Sequence, residues 1–258
     1  MFSTGIVSVT FRNKNIGEIL ELARNNSLDC IEVGSDVHAP DKDYDNCYRI
    51  ASLAEENGIK IISYGSYYKL GQYSAPAEEF NDYIVAAKCL GAPNIRVWAG
   101  VRGSLLVAPD ERAALVSEAR MIAKLAADAG LRISFEYHPN TLTDDCDSAA
   151  ALINEIGAEN VTLYWQPDQK HDADFNCAAL KKVLPYVSNV HVFAWNAQNG
   201  PCVRFPLAEH KVDWKRYLDI LASDRKDHAL LLEFVKGDLE SQFIEDATTL
   251  NEWRKRYV

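Results

Sequence analysis

What this chain lacks narrows it before anything present is read. It has no G-x-G-x-x-G and no G-x-x-x-x-G-K-[ST], and its first apolar run leads into Phe11-Arg12-Asn13-Lys14. A dinucleotide fold or a P-loop therefore has no glycine-rich cradle for phosphate. No apolar run approaches the roughly 18 residues that a membrane helix needs. The start, Met1-Phe2-Ser3-Thr4-Gly5, has neither the basic opening nor the apolar stretch of a secretory signal. Basic residues are in deficit, 27 Lys and Arg against 37 Asp and Glu, for a net charge of −10. Nucleic-acid backbones and anionic membranes are gripped through basic patches, so neither is expected as a partner. A small anionic substrate needs only one or two local cations and stays open. The six cysteines (Cys30, Cys47, Cys89, Cys146, Cys177 and Cys202) form no C-x-x-C pair. They read as reduced, mostly buried thiols, which points to the cytoplasm.

What is present is alternation. In 258 residues, 48% of them hydrophobic, short β-branched runs and helical patterns follow one another eight times. Strands are expected at Gly5–Thr10, Cys30–Val33, Ile59–Tyr64, Asn94–Trp98, Arg132–Tyr137, Val161–Gln166, Val187–Phe193 and Ala229–Phe234. Most are apolar on both faces, as parallel strands buried on each side must be. Between them, Leu115, Ala119, Ile122 and Ala126 form one helical stripe after Pro109, closed by Gly130. Ile50, Leu53 and Ala54 form another, closed by Asn57-Gly58, and Phe243, Ala247 and Leu250 a last one before Arg254-Lys255-Arg256. With no linker or composition break, residues 1–258 read as a single α/β domain, a (β/α)8 barrel.

Barrels of this kind carry their chemistry at the C-terminal ends of the strands. The last four strands end in Glu136, Gln166, His191 and Glu233. His138 lies two residues beyond Glu136 and points to the same side. Singly, each is explicable as a loop cap or a core histidine. Four such residues closing four consecutive buried strands converge on one mouth. Two carboxylates buried side by side are costly unless a cation or a shared proton compensates. A divalent metal meets that need, and oxygen and imidazole donors without thiolate suit Mn²⁺, Mg²⁺ or Co²⁺ and tolerate Zn²⁺.

Several segments carry a family resemblance. Ile31-Glu32-Val33-Gly34, Phe135-Glu136-Tyr137-His138, His191, Leu232-Glu233-Phe234 and Pro206-Leu207-Ala208-Glu209-His210-Lys211-Val212-Asp213-Trp214 are similar to the xylose-isomerase-like barrel superfamily. The likeness is strongest to its sugar isomerase and ketose 3-epimerase branch and covers essentially the whole chain. The resemblance implies one divalent metal ion held by glutamate, aspartate, histidine and glutamate from strands five to eight. Glu136, His191 and Glu233 occupy three of those positions. Gln166 stands where the family has aspartate, and Gln169 where it has a later histidine. The ligand set then brings two formal negative charges instead of three, with Asp168 as an alternative ligand on the alternating face.

The chemistry so implied is proton abstraction beside a carbonyl of a ketose or related hydroxy-ketone, through an enediolate, with Glu136 and Glu233 as the two proton-transfer groups. Epimerisation or isomerisation follows from how the glutamates flank the substrate. The alternatives are a dehydratase of an inosose or keto-sugar on the same scaffold, and a degenerate barrel that binds sugar without turnover. A DNA-repair endonuclease on this scaffold needs many strand-end histidines, and six histidines with a net charge of −10 oppose it. Expected substrate contacts are His138, Arg204, Trp98, Tyr64 and Trp195, with Tyr67 nearby; Glu32 and His38 rank below them. No glycine-rich phosphate loop follows strands seven and eight, which favours a non-phosphorylated sugar. Barrels of this type commonly form dimers or tetramers, so a homo-oligomer is also expected.

Overall fold

Eight parallel strands close into a barrel in the computed structural model, which describes residues 1–257. They are β1 (Phe2–Val7), β2 (Cys30–Gly34), β3 (Lys60–Lys69), β4 (Asn94–Trp98), β5 (Arg132–Glu136), β6 (Val161–Trp165), β7 (Val187–Val192) and β10 (His228–Leu232). A short antiparallel ribbon, β8 (Trp195–Asn196) with β9 (Val203–Arg204), projects after β7 and was not foreseen in the sequence. The barrel closes through β1, whose Phe2 to Ile6 pair in register with His228 to Leu232. No helix among the described residues is long and apolar enough to cross a membrane.

Among the described residues, eight α-helices surround the strands, from α1 (Ile16–Asn25) to α8 (Glu240–Arg254). The predicted stripe after Pro109 is α4 (Pro109–Asp128), and Ile50 and Ala54 lie buried on α2 (Tyr44–Glu56). The start of α1 is a capping box, in which Asn15 accepts from Glu18 N and Glu18 accepts from Asn15 N. The large core lies between barrel and helices. A second, small cluster inside the barrel joins Val7, Val9, Cys30, Tyr164, Ala229 and Leu231.

Two strands differ from expectation. β1 begins and ends three residues early, and Ser8–Phe11 forms a 3-10 turn in place of strand. The alternating Val7, Val9 and Phe11 mimic a strand, but Ser8 Oγ accepts from Gly34 N and Thr10 Oγ accepts from Phe234 N. These bonds tie the turn to the neighbouring strand ends. β3 ends five residues later than predicted and shifts register between Gly65 and Lys69, with Tyr67 at a left-handed φ of 55°.

Candidate active site

Side chains of alternate residues on each strand enter the barrel, and near its C-terminal end these are charged. Glu136 closes β5, Gln166 follows β6, His191 lies within β7 and Glu233 follows β10. All four are buried. They meet at His191 Nδ1, which lies 3.1 Å from Gln166 Oε1, 3.4 Å from Glu136 Oε1 and 3.5 Å from Glu233 Oε2. Separations of about 3–3.5 Å are those between neighbouring donors on one small ion with bonds of about 2.1 Å. Glu136, His191 and Glu233 each offer an atom to one such cluster.

Arg96 of β4 is the residue that sequence reasoning missed. It is fully buried, donates from Nε to Glu32 Oε1 at 2.7 Å and bridges through its other arm to Glu136 Oε2. The same Glu136 oxygen accepts from Trp98 Nε1 at 2.6 Å. Its signal was available: a lone arginine in Asn94-Ile95-Arg96-Val97-Trp98, at the same parity as Trp98. The inner layer therefore holds three buried carboxylates, Glu32, Glu136 and Glu233, against one guanidinium. With all three ionised, the excess is two negative charges, which a divalent cation cancels. The donor chemistry thus fits such an ion, with the Gln166 amide oxygen as a neutral hard ligand.

The two glutamates of the cluster are not equivalent. Burial acts to raise the Glu136 carboxyl, but the Arg96 guanidinium beside it and His191 hold it well below the usual carboxylate range. Burial raises the Glu233 carboxyl, and repulsion from Glu136 adds to that against the pull of His191. Burial disfavours charge on His191 too, yet Glu233 and Glu136 together raise it above the ordinary imidazole value.

Above the cluster opens a cavity of about 440 Å³, walled by Arg12, Tyr67, Trp98, His138, Lys170 and Trp195 among others. His138 stacks on Trp98 with centroids 4.4 Å apart, and its Nδ1 lies 2.8 Å from Pro139 O, which assigns the proton to that nitrogen. Arg12 donates to the Tyr67 hydroxyl at 2.8 Å and lies over the Phe234 ring. Tyr67 and Phe234 both adopt left-handed backbone, at φ 55° and 46°. Strained non-glycine residues of this kind persist where the surroundings over-determine them. Here both wall the cavity.

Three expectations are corrected. Tyr64 is not in the mouth: it faces the helices, packs on Tyr83 and donates its hydroxyl to Ala39 O at 2.7 Å. Tyr67, of the same inward parity as Ser63 and Gly65, is there instead. Arg204 is drawn aside by Asp238 at 2.6 Å and lines a neighbouring recess beside Phe234. Asp168, the alternative ligand, turns away to accept from Lys170 N at 2.8 Å. Trp98, Trp195 and His138 line the mouth cavity. His38 is bound to Ser8 Oγ and Lys14 O, away from the cluster.

Comparison with known proteins agrees with this architecture. A family model described as xylose isomerase-like TIM barrel matches residues 20–253. The 3-dehydroshikimate dehydratase of Bacillus anthracis is 25% identical over 166 residues, which span 61% of this chain and 59% of that protein. The match thus takes in less than two thirds of that relative. The crystal structure of a probable 3-DHS dehydratase of petrobactin synthesis from Bacillus anthracis superposes with a TM-score of 0.81 at 20% identity, covering 97% of this chain and 99% of that one. A magnesium complex of a xylose isomerase-like barrel from Mycobacterium smegmatis gives 0.77 at 15% identity, over 99% and 97% of the two chains. D-psicose 3-epimerase in the presence of D-fructose gives 0.73 at 16% identity, over 99% of each. At these identities the structural likenesses speak for the fold alone.

Proposed function

This chain belongs to the xylose isomerase-like TIM barrel family, and from that premise we propose that it is a divalent-metal-dependent enzyme taking a proton from the carbon beside a carbonyl. The ion would be held by Glu136, Gln166, His191 and Glu233. When bound, a divalent ion supplies Lewis-acid stabilisation of negative charge on a carbonyl oxygen. The substrate class is a small hydroxylated keto acid or ketose, of a size for the mouth cavity.

The observation that carries the reading is the inequality of the two glutamates. One oxygen of Glu136 is occupied by Arg96 and Trp98, and the environment keeps this carboxylate ionised. It is a ligand and a poor base. Glu233 has no arginine of its own and an environment that favours holding a proton. One base suits elimination better than a two-base exchange. In this scheme Glu233 takes the proton from the carbon beside the carbonyl and the pair flows toward the carbonyl oxygen. As the carbonyl re-forms, the hydroxyl on the next carbon leaves with that proton as water, and a carbon–carbon double bond remains. The named relative is a dehydratase of 3-dehydroshikimate, which is itself a hydroxylated keto acid. Lys170 at the rim supplies a cation for a carboxylate, beside Arg12, whose Nε is engaged by Asp36 at 2.6 Å.

A second reading, epimerisation, rests on the nearly equal reach of Glu136 and Glu233 to His191, at 3.4 and 3.5 Å. One assay separates the two. The Mn²⁺-loaded protein is incubated in D₂O with 3-dehydroshikimate and, separately, with D-psicose. Dehydration is read as new ultraviolet absorbance, because loss of water makes the ring aromatic; epimerisation is read as deuterium gained without loss of water. Glu233→Gln is expected to lower the rate by about 10³-fold, the scale of a lost general base. Full activity in that variant would falsify the one-base scheme.

A further inference from the structure

Glu32, on β2, is completely buried and does not wall the mouth cavity. Its Oε1 accepts from Arg96 Nε at 2.7 Å. Its Oε2 has no hydrogen-bond partner, and neither does His191 Nε2. These two side chains face one another across the barrel, with Glu32 Oε1 3.9 Å from His191 Nε2. A buried carboxylate with an unused oxygen is costly unless a charge or a donor answers it. Room for the arrangement depends on Gly65 of β3, where a Cβ would stand 2.8 Å from Arg96 Nη2 and 2.9 Å from Glu32 Oε1.

We propose that Glu32 is a positioning residue, holding the His191 ring from behind through Nε2–H so that Nδ1 faces the metal donors, while also setting Arg96 against Glu136. The inference rests on the metal reading given above, and Glu32 acts on the substrate only through those two residues. A neutral imidazole carries one proton. With Nδ1 turned to the oxygens of Glu136, Gln166 and Glu233 as a ligand, that proton belongs on Nε2. The acceptor facing Nε2 is Glu32, and closing by about 1 Å brings the pair to hydrogen-bond length. A carboxylate behind a metal-bound histidine fixes the ring and raises its basicity, and its loss typically costs about 10–100-fold in metal affinity.

The test is Mn²⁺ titration by calorimetry of the wild type and Glu32→Gln, each full-length and checked for folding by circular dichroism. Binding is expected to weaken by about 10–100-fold in the variant. Equal affinity, within about twofold, overturns the inference while leaving the metal site intact. Absence of Mn²⁺ binding by the wild type overturns the metal reading and this inference with it. A second measurement does not depend on the variant folding. Two-bond ¹H–¹⁵N spectra of the Mg²⁺-loaded wild type are expected to show His191 protonated at Nε2 and bare at Nδ1. A proton on Nδ1 in that state overturns the proposal.

Discussion

Two polar layers lie one above the other inside this barrel, and they are built on opposite rules. The lower one is neutral and closed: Asn94 donates to Ser63 at 3.0 Å, Ser134 donates to Asn94 at 2.8 Å, and Thr162 bonds Ser134 at 2.7 Å and Ser188 at 3.1 Å. None of these side chains is left with an unsatisfied buried atom. The upper layer is charged and open, with Glu32, Arg96, Glu136, His191 and Glu233 packed together and one atom each of Glu32 and His191 unpaired. Neutral hydrogen bonds that are fully made hold strands in register at modest net gain. Buried charges in excess hold stability in reserve until a ligand of opposite sign completes them. The lower layer reads as framework and the upper one as site.

Substitutions that touch one layer at a time can break this contrast. The largest effect is expected for Arg96→Met, which leaves Glu32 and Glu136 buried without their shared cation. Denaturant unfolding of the metal-free protein should show a loss of about 3–5 kcal/mol. A loss near 1 kcal/mol would mean that the upper layer is no more charge-dependent than the lower. Gln166→Asp comes next. Adding a third negative ligand should tighten Mn²⁺ binding by about tenfold, or about 1.4 kcal/mol, and lower the melting temperature of the metal-free protein. Unchanged affinity would remove Gln166 from the ligand set. Smallest is Ser134→Ala, which removes bonds to Asn94 and Thr162 for about 1 kcal/mol and should leave Mn²⁺ affinity as it was. Weaker metal binding there would show the two layers to be one coupled network.

Much of the barrel was legible because its signals are local. The helix stripes and the apolar strands follow from residues a few positions apart. So do the strand-end residues Glu136, Gln166, His191 and Glu233. The misreadings came where a distant segment intervened. Ser8 to Phe11 keep a strand-like pattern but turn, because bonds to Gly34 and Phe234 are better. Tyr64 and Tyr67 both close the strand in the sequence, but being three apart they face opposite sides, and the slip of β3 against β2 after Ile61 decides that Tyr64 meets the helices and Tyr67 the mouth.

Sequence by itself determined the alternation of strand and helix, and with it the barrel and the end of the barrel at which chemistry gathers. It also put Glu136 and His138 on one side, since parity along a regular strand is a local property, but not the facing of Tyr64, where β3 slips against β2. Only the tertiary structure decided which of these inward groups meet. Closure of the barrel brings Glu32 of β2, Arg96 of β4 and His191 of β7 together across the interior, although none of them is near another in the chain. Coulomb energy depends on separation in space and on exclusion of water. Hence the inequality of Glu136 and Glu233, two glutamates at equivalent strand ends, came from the placing of one arginine and not from any motif.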